Sequence, residues 1–276
     1  MKHLHLESNT EGRDIIIGDL HGHLDELTSA LNILQFDPNI DRIISCGDLI
    51  DRGPNSLECA QLIYEPYFFA VKGNHEELME KSIISQSHMH IKCWMENGGT
   101  WAIDELKYNS VFMLDIANKF KELPLIISLG ERKNRINIVH AELTRRFPAN
   151  GFSMVTDDDI DRWNFTDADE DAMMWGRTVY DSHINTTYDP YPYNRTKSYK
   201  EANQSFHSPD LSLTLVGHTF PLDHHPVQLQ RQLYIDTGMC AQQKLTLVVI
   251  ANDEMTVYQK QYKVFSLNTV TIRTLL

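Results

Sequence analysis

Clustered thiols and positive charge are both scarce in this chain. Only four of its 276 residues are cysteine (Cys46, Cys59, Cys93 and Cys240), and no two form a CxxC pair. That spacing excludes a thiolate zinc knuckle, and a chain of this length does not need disulfides to fold. The expectation is reduced, mostly buried thiols in a cytoplasmic protein. Acidic residues outnumber basic ones for a formal net charge of −13, which argues against a general nucleic-acid binder. No apolar run is long enough to span a bilayer, and the longest, Leu245 to Ala251, reads as a buried strand. The first twelve residues hold no apolar core of signal-peptide length, so neither a membrane nor export is expected. With 42% hydrophobic and 23% charged residues, the composition is that of a globular enzyme.

The first 75 residues repeat one pattern three times. Short β-branched runs at Asp14–Ile17, Arg42–Cys46 and Tyr67–Val71 each end in Gly-Asp or Gly-Asn, and an amphipathic helix follows. Leu24, Leu27, Leu31 and Leu34 lie on one face of the first helix, the spacing of a helix resting on a sheet. The second helix opens at Pro54-Asn55-Ser56, and the third near His75-Glu76-Glu77, with acidic side chains at its positive end. Such alternation implies parallel strands with both sheet faces covered. From about Glu77 to Glu122 the chain reads as helical, broken at Asn97-Gly98-Gly99, with its Met and Leu residues in the core. Further strands are expected at Leu125–Leu129, Arg135–Val139, Leu213–Val216, Gln232–Ile235, Lys244–Ile250 and Met255–Tyr258. The fold class is α/β (α+β): a β-sandwich of mixed sheets flanked by helices, forming a single domain over residues 1–276. One stretch, about 178–210, is rich in Tyr, Asn, Ser, Thr and Pro, lacks apolar periodicity, and reads as an insertion or flap.

The chemistry collects where strands end. Gly18-Asp19-Leu20-His21-Gly22, Gly47-Asp48-Leu49-Ile50-Asp51-Arg52-Gly53 and Gly73-Asn74-His75-Glu76 follow the three early strands. His140 and Gly217-His218 follow two later ones. Ligands of open α/β sheets bind outside the carboxyl ends of the strands. A lone histidine after a strand is usually a hydrogen-bonded loop residue, and an isolated Gly-Asp is usually a turn. Five strand ends offering carboxylate, imidazole and amide oxygen together suit a pair of first-row divalent ions.

These residues resemble the metallophosphoesterase superfamily. The Asp-Arg-Gly and Asn-His-Glu details resemble its phosphoprotein phosphatase branch, in particular the bacteriophage lambda-type bacterial Ser/Thr protein phosphatases. Glu122 to Ile127, Trp175-Gly176-Arg177, Gly217-His218-Thr219 and Tyr234 to Gly238 are similar to that family too, so the resemblance covers nearly the whole chain. It implies that Asp19 and His21 bind one metal, that Asp48 bridges, and that Asn74, His140 and His218 complete the second. A shared carboxylate offsets the repulsion of two ions about 3.5–4 Å apart. The implied activity is metal-dependent hydrolysis of phosphoserine and phosphothreonine in proteins, with phosphotyrosine left open, by in-line attack of a hydroxide held on the metals. Arg52 and Arg177 resemble phosphate-clamping arginines, His75 the general acid, and Asp51 the carboxylate that supports it. The implied cofactor is two divalent ions, Mn²⁺ foremost, with Fe or Zn as alternatives. The implied partners are phosphorylated proteins or peptides, acted on by a monomer. Asp236 follows a strand and reads equally as a turn residue or as one that orients the site. His224 and His225 read as ordinary exposed or capping residues. Two rivals share the motifs: a symmetric dinucleoside tetraphosphate hydrolase, which Asp51 and Glu76 disfavour, and a catalytically silent scaffold, which the complete ligand set disfavours.

Overall fold

The computed structural model describes residues 1–131, 134–147, 151–153, 155–183, 208, 210–261, 267–269 and 273–275. In chain order the first strands are β1 (His3–Leu6), β2 (Asp14–Ile17), β3 (Arg42–Ser45), β4 (Phe68–Ala70), β5 (Ile126–Leu129) and β6 (Ile136–Val139). A short hairpin, β7 (Arg145–Phe147) and β8 (Gly151–Ser153), comes next. The rest are β9 (Leu213–Val216), β10 (Val227–Leu229), β11 (Gln232–Tyr234), β12 (Lys244–Ala251), β13 (Glu254–Gln261), β14 (Leu267–Thr269) and β15 (Arg273–Leu275). Among the described residues they form two mixed sheets, ordered β1-β5-β6-β9-β11-β10-β15 and β14-β13-β12-β2-β3-β4.

Period-two patterning explains how the sheets stack. In β2, Ile15 and Ile17 face the helices while Ile16 faces the other sheet; in β3, Ile43 and Ile44 divide the same way. Across the sandwich, Ile127, Ile138, Leu215 and Leu233 point inward, and their neighbours Ile126, Val139, Val216 and Tyr234 point to the outer helices. Both faces of each central strand are therefore buried, which is why these runs read as continuously apolar. A buried aliphatic side chain contributes about 1.5–3 kcal/mol, so a polar residue at Ile16 or Ile44 would weaken the sheet-to-sheet contact directly.

Helices α1 (Leu24–Leu34), α2 (Ser56–Gln61), α3 (Asn74–Ser85), α4 (His88–Glu96), α5 (Ala102–Tyr108) and α6 (Ser110–Glu122) cover the second sheet. Helices α7 (Asp157–Asp161), α8 (Asp167–Trp175) and α9 (Thr178–His183) cover the first. A buried ion pair, Lys260 Nζ to Glu26 at 3.0 Å, ties β13 to α1. No helix among the described residues is long and apolar enough to cross a membrane.

Several sequence expectations need adjustment. The N-terminal His3–Leu6 is a parallel strand against β5, where His3 meets Ser128 across the pair. In the middle helices Leu78, Met79 and Met113 are buried, but Met89 and Leu114 are exposed. Cys46 and Cys59 are buried free thiols, whereas Cys93 is exposed and Cys240 is half-buried. The 178–210 stretch begins as α9, with Val179 and Tyr180 packed in the core. Residues 184–207 and 209 of that stretch lie outside the described residues.

Candidate metal centre

Strands β2, β3 and β4 run parallel, so the turns after them open at one edge of the sheet. Strands β6 and β9 are likewise parallel in the facing sheet and carry His140 and His218 just beyond their ends. Five side-chain-bearing site residues take the left-handed backbone region: His21 (φ 44°), Asp48 (φ 51°), Asp51 (φ 73°), Arg52 (φ 72°) and His218 (φ 61°). Each such residue costs on the order of 1 kcal/mol or more, and strain of this kind gathers where a fold must aim side chains. Gly73 shows the crowding behind them: a Cβ there would stand 2.4 Å from Asp48 Oδ1.

Asp48 is the hub. Its carboxylate lies 3.4 Å from His140 Nε2, 3.6 Å from His21 Nε2 and 3.8 Å from His75 Nε2. The Asn74 amide oxygen faces two imidazoles at once, His140 Nε2 at 2.8 Å and His218 Nδ1 at 2.9 Å. Asp19 lies 3.9 Å from His21 Nε2 and accepts the His218 backbone N–H at 3.0 Å. Two buried groups of potential ligands result, His21-Asp48-His75 and Asp48-His140-His218, with Asp48 common to both. All six sequence-assigned ligands are thus brought together.

The tautomers favour ligation. His21 Nδ1 is 3.0 Å from the Ile50 carbonyl and His140 Nδ1 is 2.7 Å from the Cys46 carbonyl. A carbonyl only accepts, so each Nδ1 carries the proton and each Nε2 keeps its lone pair toward Asp48. Burial chiefly holds His21, His140 and His218 below the ordinary imidazole value, with the His75 charge adding to it at His21 and the Arg177 charge at His218. Burial, then Asp236 and Asp48, pushes Asp19 well above the usual carboxylate range. Burial opposes ionisation of Asp48 too, but the surrounding histidines, His140 first, win and hold it below that range. Imidazoles, buried carboxyl groups and a shared amide oxygen are a donor set that suits a divalent cation, and the proton that burial favours on Asp19 would leave on binding. The residues therefore fit a pair of such ions.

His75 differs from the other histidines. Its Nδ1 donates to a carboxylate, Asp51, at 2.6 Å, and its Nε2, like that of His218, is buried without a hydrogen-bond partner. Burial lowers its affinity for a proton, but Asp48 and the bonded Asp51 outweigh burial and raise it. Arg52 is exposed and donates to His21 Nε2 at 2.8 Å, the lone pair that would serve the first ion. Arg177 is exposed between α8 and α9, its charge close to His140 and His218.

Sequence reasoning missed three supports. Glu76 is buried and accepts the N–H groups of Gly73, Asp48 and Leu49 at 2.8–2.9 Å, which stitches the turn after β4 to the turn after β3. Its only sequence signal was a place in the Asn-His-Glu motif. Trp94 and Trp101 both donate to Asp51, a role that no sequence signal in the middle helices pointed to. Asp236 keeps both readings: it caps a turn by accepting Gly238 N–H at 2.8 Å, and it is buried beside Asp19 and pushed up to about 6 by burial and Asp48. His224 is half-buried against Phe220, 5.3 Å between ring centres, and bonds the Thr237 carbonyl.

Comparison with known proteins gives the same picture. A stretch 38% identical over 128 residues matches serine/threonine-protein phosphatase 2 of Escherichia coli (strain K12), covering 46% of this chain and 57% of that protein. The chain thus spans little more than half the length of that relative. Two solved structures share the fold at low identity. One is a protein serine/threonine phosphatase from Saccharomyces cerevisiae with similarity to human phosphatase PP5 (TM-score 0.58, 18% identity, 94% of this chain and 84% of that one). The other is a putative diadenosine tetraphosphatase (TM-score 0.53, 17% identity, 95% and 99%). The family model for calcineurin-like phosphoesterases matches residues 13–221, which takes in every residue of the cluster around Asp48. The chain belongs to the calcineurin-like phosphoesterase family.

Proposed function

We propose that the chain is a protein-serine/threonine phosphatase, a metal-dependent hydrolase of phosphomonoesters on proteins or peptides. The observation that carries this reading is the Asp51–His75 pair. A serine or threonine alkoxide is a poor leaving group and needs a proton as the P–O bond breaks. His75 has its Nδ1–H bound to Asp51 and a buried, unpartnered Nε2 beside Asp48, the arrangement of a proton donor aimed at the metal cluster. A dinucleoside tetraphosphate hydrolase expels a phosphate group, which leaves without such help, so the pair would have little to do there.

In this reading Asp19 and His21 hold one ion, Asn74, His140 and His218 the other, and Asp48 both. Two divalent ions, Mn²⁺ foremost with Fe or Zn as alternatives, would supply Lewis-acid stabilisation of the phosphoryl charge and an acidified water. Arg52 and Arg177, exposed at the rim, would grip phosphoryl oxygens with their planar forks. His75 would then hand its Nε2 proton to the leaving oxygen, and Asp51 would keep the ring charged and aimed. The chain would work as one domain; of the stretch at about 178–210 expected as an insertion or flap, residues 184–207 and 209 lie outside the described residues.

Rates on a phosphoserine peptide, a phosphotyrosine peptide and diadenosine tetraphosphate, each with Mn²⁺, test the proposal. The phosphoserine peptide should be cleaved with the highest kcat/KM of phosphoserine peptide and tetraphosphate. A clear preference for diadenosine tetraphosphate would overturn it.

A further inference from the structure

Asp51 is wholly buried, yet three N–H groups converge on its carboxylate. His75 Nδ1 reaches Oδ2 at 2.6 Å, Trp101 Nε1 reaches Oδ1 at 2.7 Å, and Trp94 Nε1 bridges both oxygens at 3.1 Å. The backbone N–H of Asp51 is held as well, by Ser56 Oγ at 3.0 Å. An indole can only donate, so both tryptophans hold the carboxylate oxygens as acceptors in a single orientation.

The chain between the two indoles is shaped for this contact. Helix α4 carries Trp94 and ends at Glu96; a turn at Asn97-Gly98 leads into a 3₁₀ turn, Gly99–Trp101. Gly98 stands at φ 111°, and a Cβ on it would come within 2.8 Å of Arg52 Cγ. A Cβ on Gly99 would strike the Trp94 indole at 2.6 Å. The Gly98 carbonyl also accepts the Arg52 backbone N–H at 3.4 Å. The two glycines thus let one short turn lie against Arg52 while it delivers both rings, which meet edge to face at 6.3 Å and 88°.

We propose that Trp94 and Trp101 are positioning residues for proton donation, acting through Asp51 on His75. The inference rests on His75 being the proton donor. An aspartate χ2 is a broad, soft torsion, so a carboxylate held by His75 alone would swing and take the imidazole with it. Two indole donors on the remaining lone pairs fix that torsion, and their apolar bodies keep water out of the pair. The competing reading is that both rings are core residues whose N–H groups found a convenient acceptor.

Trp→Phe substitution separates the two readings, because it keeps most of the ring and removes only the donor. In the metal-loaded protein, Trp94→Phe and Trp101→Phe should each lower kcat on a phosphoserine peptide by roughly tenfold, part of the usual general-acid contribution, with KM little changed. Across aryl phosphates the loss should shrink steadily as leaving-group acidity rises. In a His75→Asn background Trp101→Phe should add no further leaving-group dependence. Trp101 is only partly buried, so its variant carries the kinetic test if Trp94→Phe is unstable. Equal losses on all leaving groups, in an otherwise active enzyme, would overturn the positioning role alone. An independent readout comes from ¹⁵N-labelled indoles: the two Nε1–H signals that vanish in the Phe variants should be exchange-protected in the wild type and should shift in Asp51→Asn. Signals indifferent to Asp51 would also overturn it. A wild type inactive on every phosphomonoester would instead sink the phosphatase reading, and the indole signals would then decide whether the clamp on Asp51 exists.

Discussion

The Glu76 carboxylate accepts the backbone N–H of Asp48 at 2.9 Å, although the two residues belong to turns on different strands. Asp48 is the shared member of both ligand groups, so Glu76 sets the backbone from which the centre is built. Glu76→Gln replaces one acceptor oxygen with a donor that would face a buried N–H. It should cost about 1–3 kcal/mol of stability and lower metal content together. A thermal melt and metal analysis on the same sample check this; full metal content after loss of stability would confine Glu76 to folding.

Removal of metal should abolish activity, and Mn²⁺ should restore it. Asp48→Asn should be the most damaging single ligand change because both groups contain that carboxylate. His21→Asn or His218→Asn removes a member of only one group. The check is bound metal per chain: Asp48→Asn should lose ions from both groups, and the histidine variants about one. Retention of two ions by Asp48→Asn would deny it the bridging role.

Arg52→Ala and Arg177→Ala should each lower kcat/KM while bound metal stays unchanged, since neither arginine is assigned as a ligand. Lysine should restore only part of the rate, because a point charge cannot reproduce a two-pronged grip. Steady-state kinetics with metal analysis tests the pair. Wild-type rates for Arg177→Lys would demote that exposed residue from clamp to surface charge.

The strands and the residues that gather around Asp48 were legible because both are short-range patterns. Runs such as Asp14–Ile17 and Leu213–Val216 are buried on both faces, and a residue of that cluster stands within five residues of each end. What escaped depends on contacts distant in sequence. His3–Leu6 is a strand only because β5, over a hundred residues away, offers an edge. Trp94 and Trp101 look like core residues until folding brings Asp51 to their N–H groups. The Met and Leu residues of the middle helices were expected in the core, yet Met89 and Leu114 are exposed, because residue type alone does not say which helix face meets the sheet.

Glu142, two residues after His140, gives a pH prediction read from stability alone. It is buried, accepts Val179 N–H, Tyr180 N–H and Tyr234 O–H, and is pushed up to about 7, by burial foremost. A folded-state value above the unfolded one means the folded protein binds the extra proton. This contribution is therefore fully present below about pH 4.5 and is lost as pH rises through about 7. The shift corresponds to about 3 kcal/mol at most. Urea midpoints at pH 5 and pH 8 should fall less in Glu142→Gln than in the wild type. Equal slopes would mean the carboxyl is ionised across that whole range.

His75 offers the sharpest separation of proton donation from the rest of the site. If it is the general acid, its removal matters in proportion to how badly the leaving group needs a proton. A serine alkoxide needs one strongly, while para-nitrophenolate leaves readily without help. His75→Asn should therefore depress phosphoserine-peptide hydrolysis about 10²-fold more than hydrolysis of para-nitrophenyl phosphate. Asp51→Asn should show the same bias more mildly, because Asp51 touches the leaving group only through the imidazole it holds at 2.6 Å. Metal content decides a further point, since His75 Nε2 also lies among the potential ligands around Asp48. Two ions retained with a large substrate gap would establish a donor, whereas an ion lost with equal damage to both substrates would make His75 a ligand. The Asp51 carboxylate would then be orienting a metal site, and the proton for the alkoxide would have to come from another group.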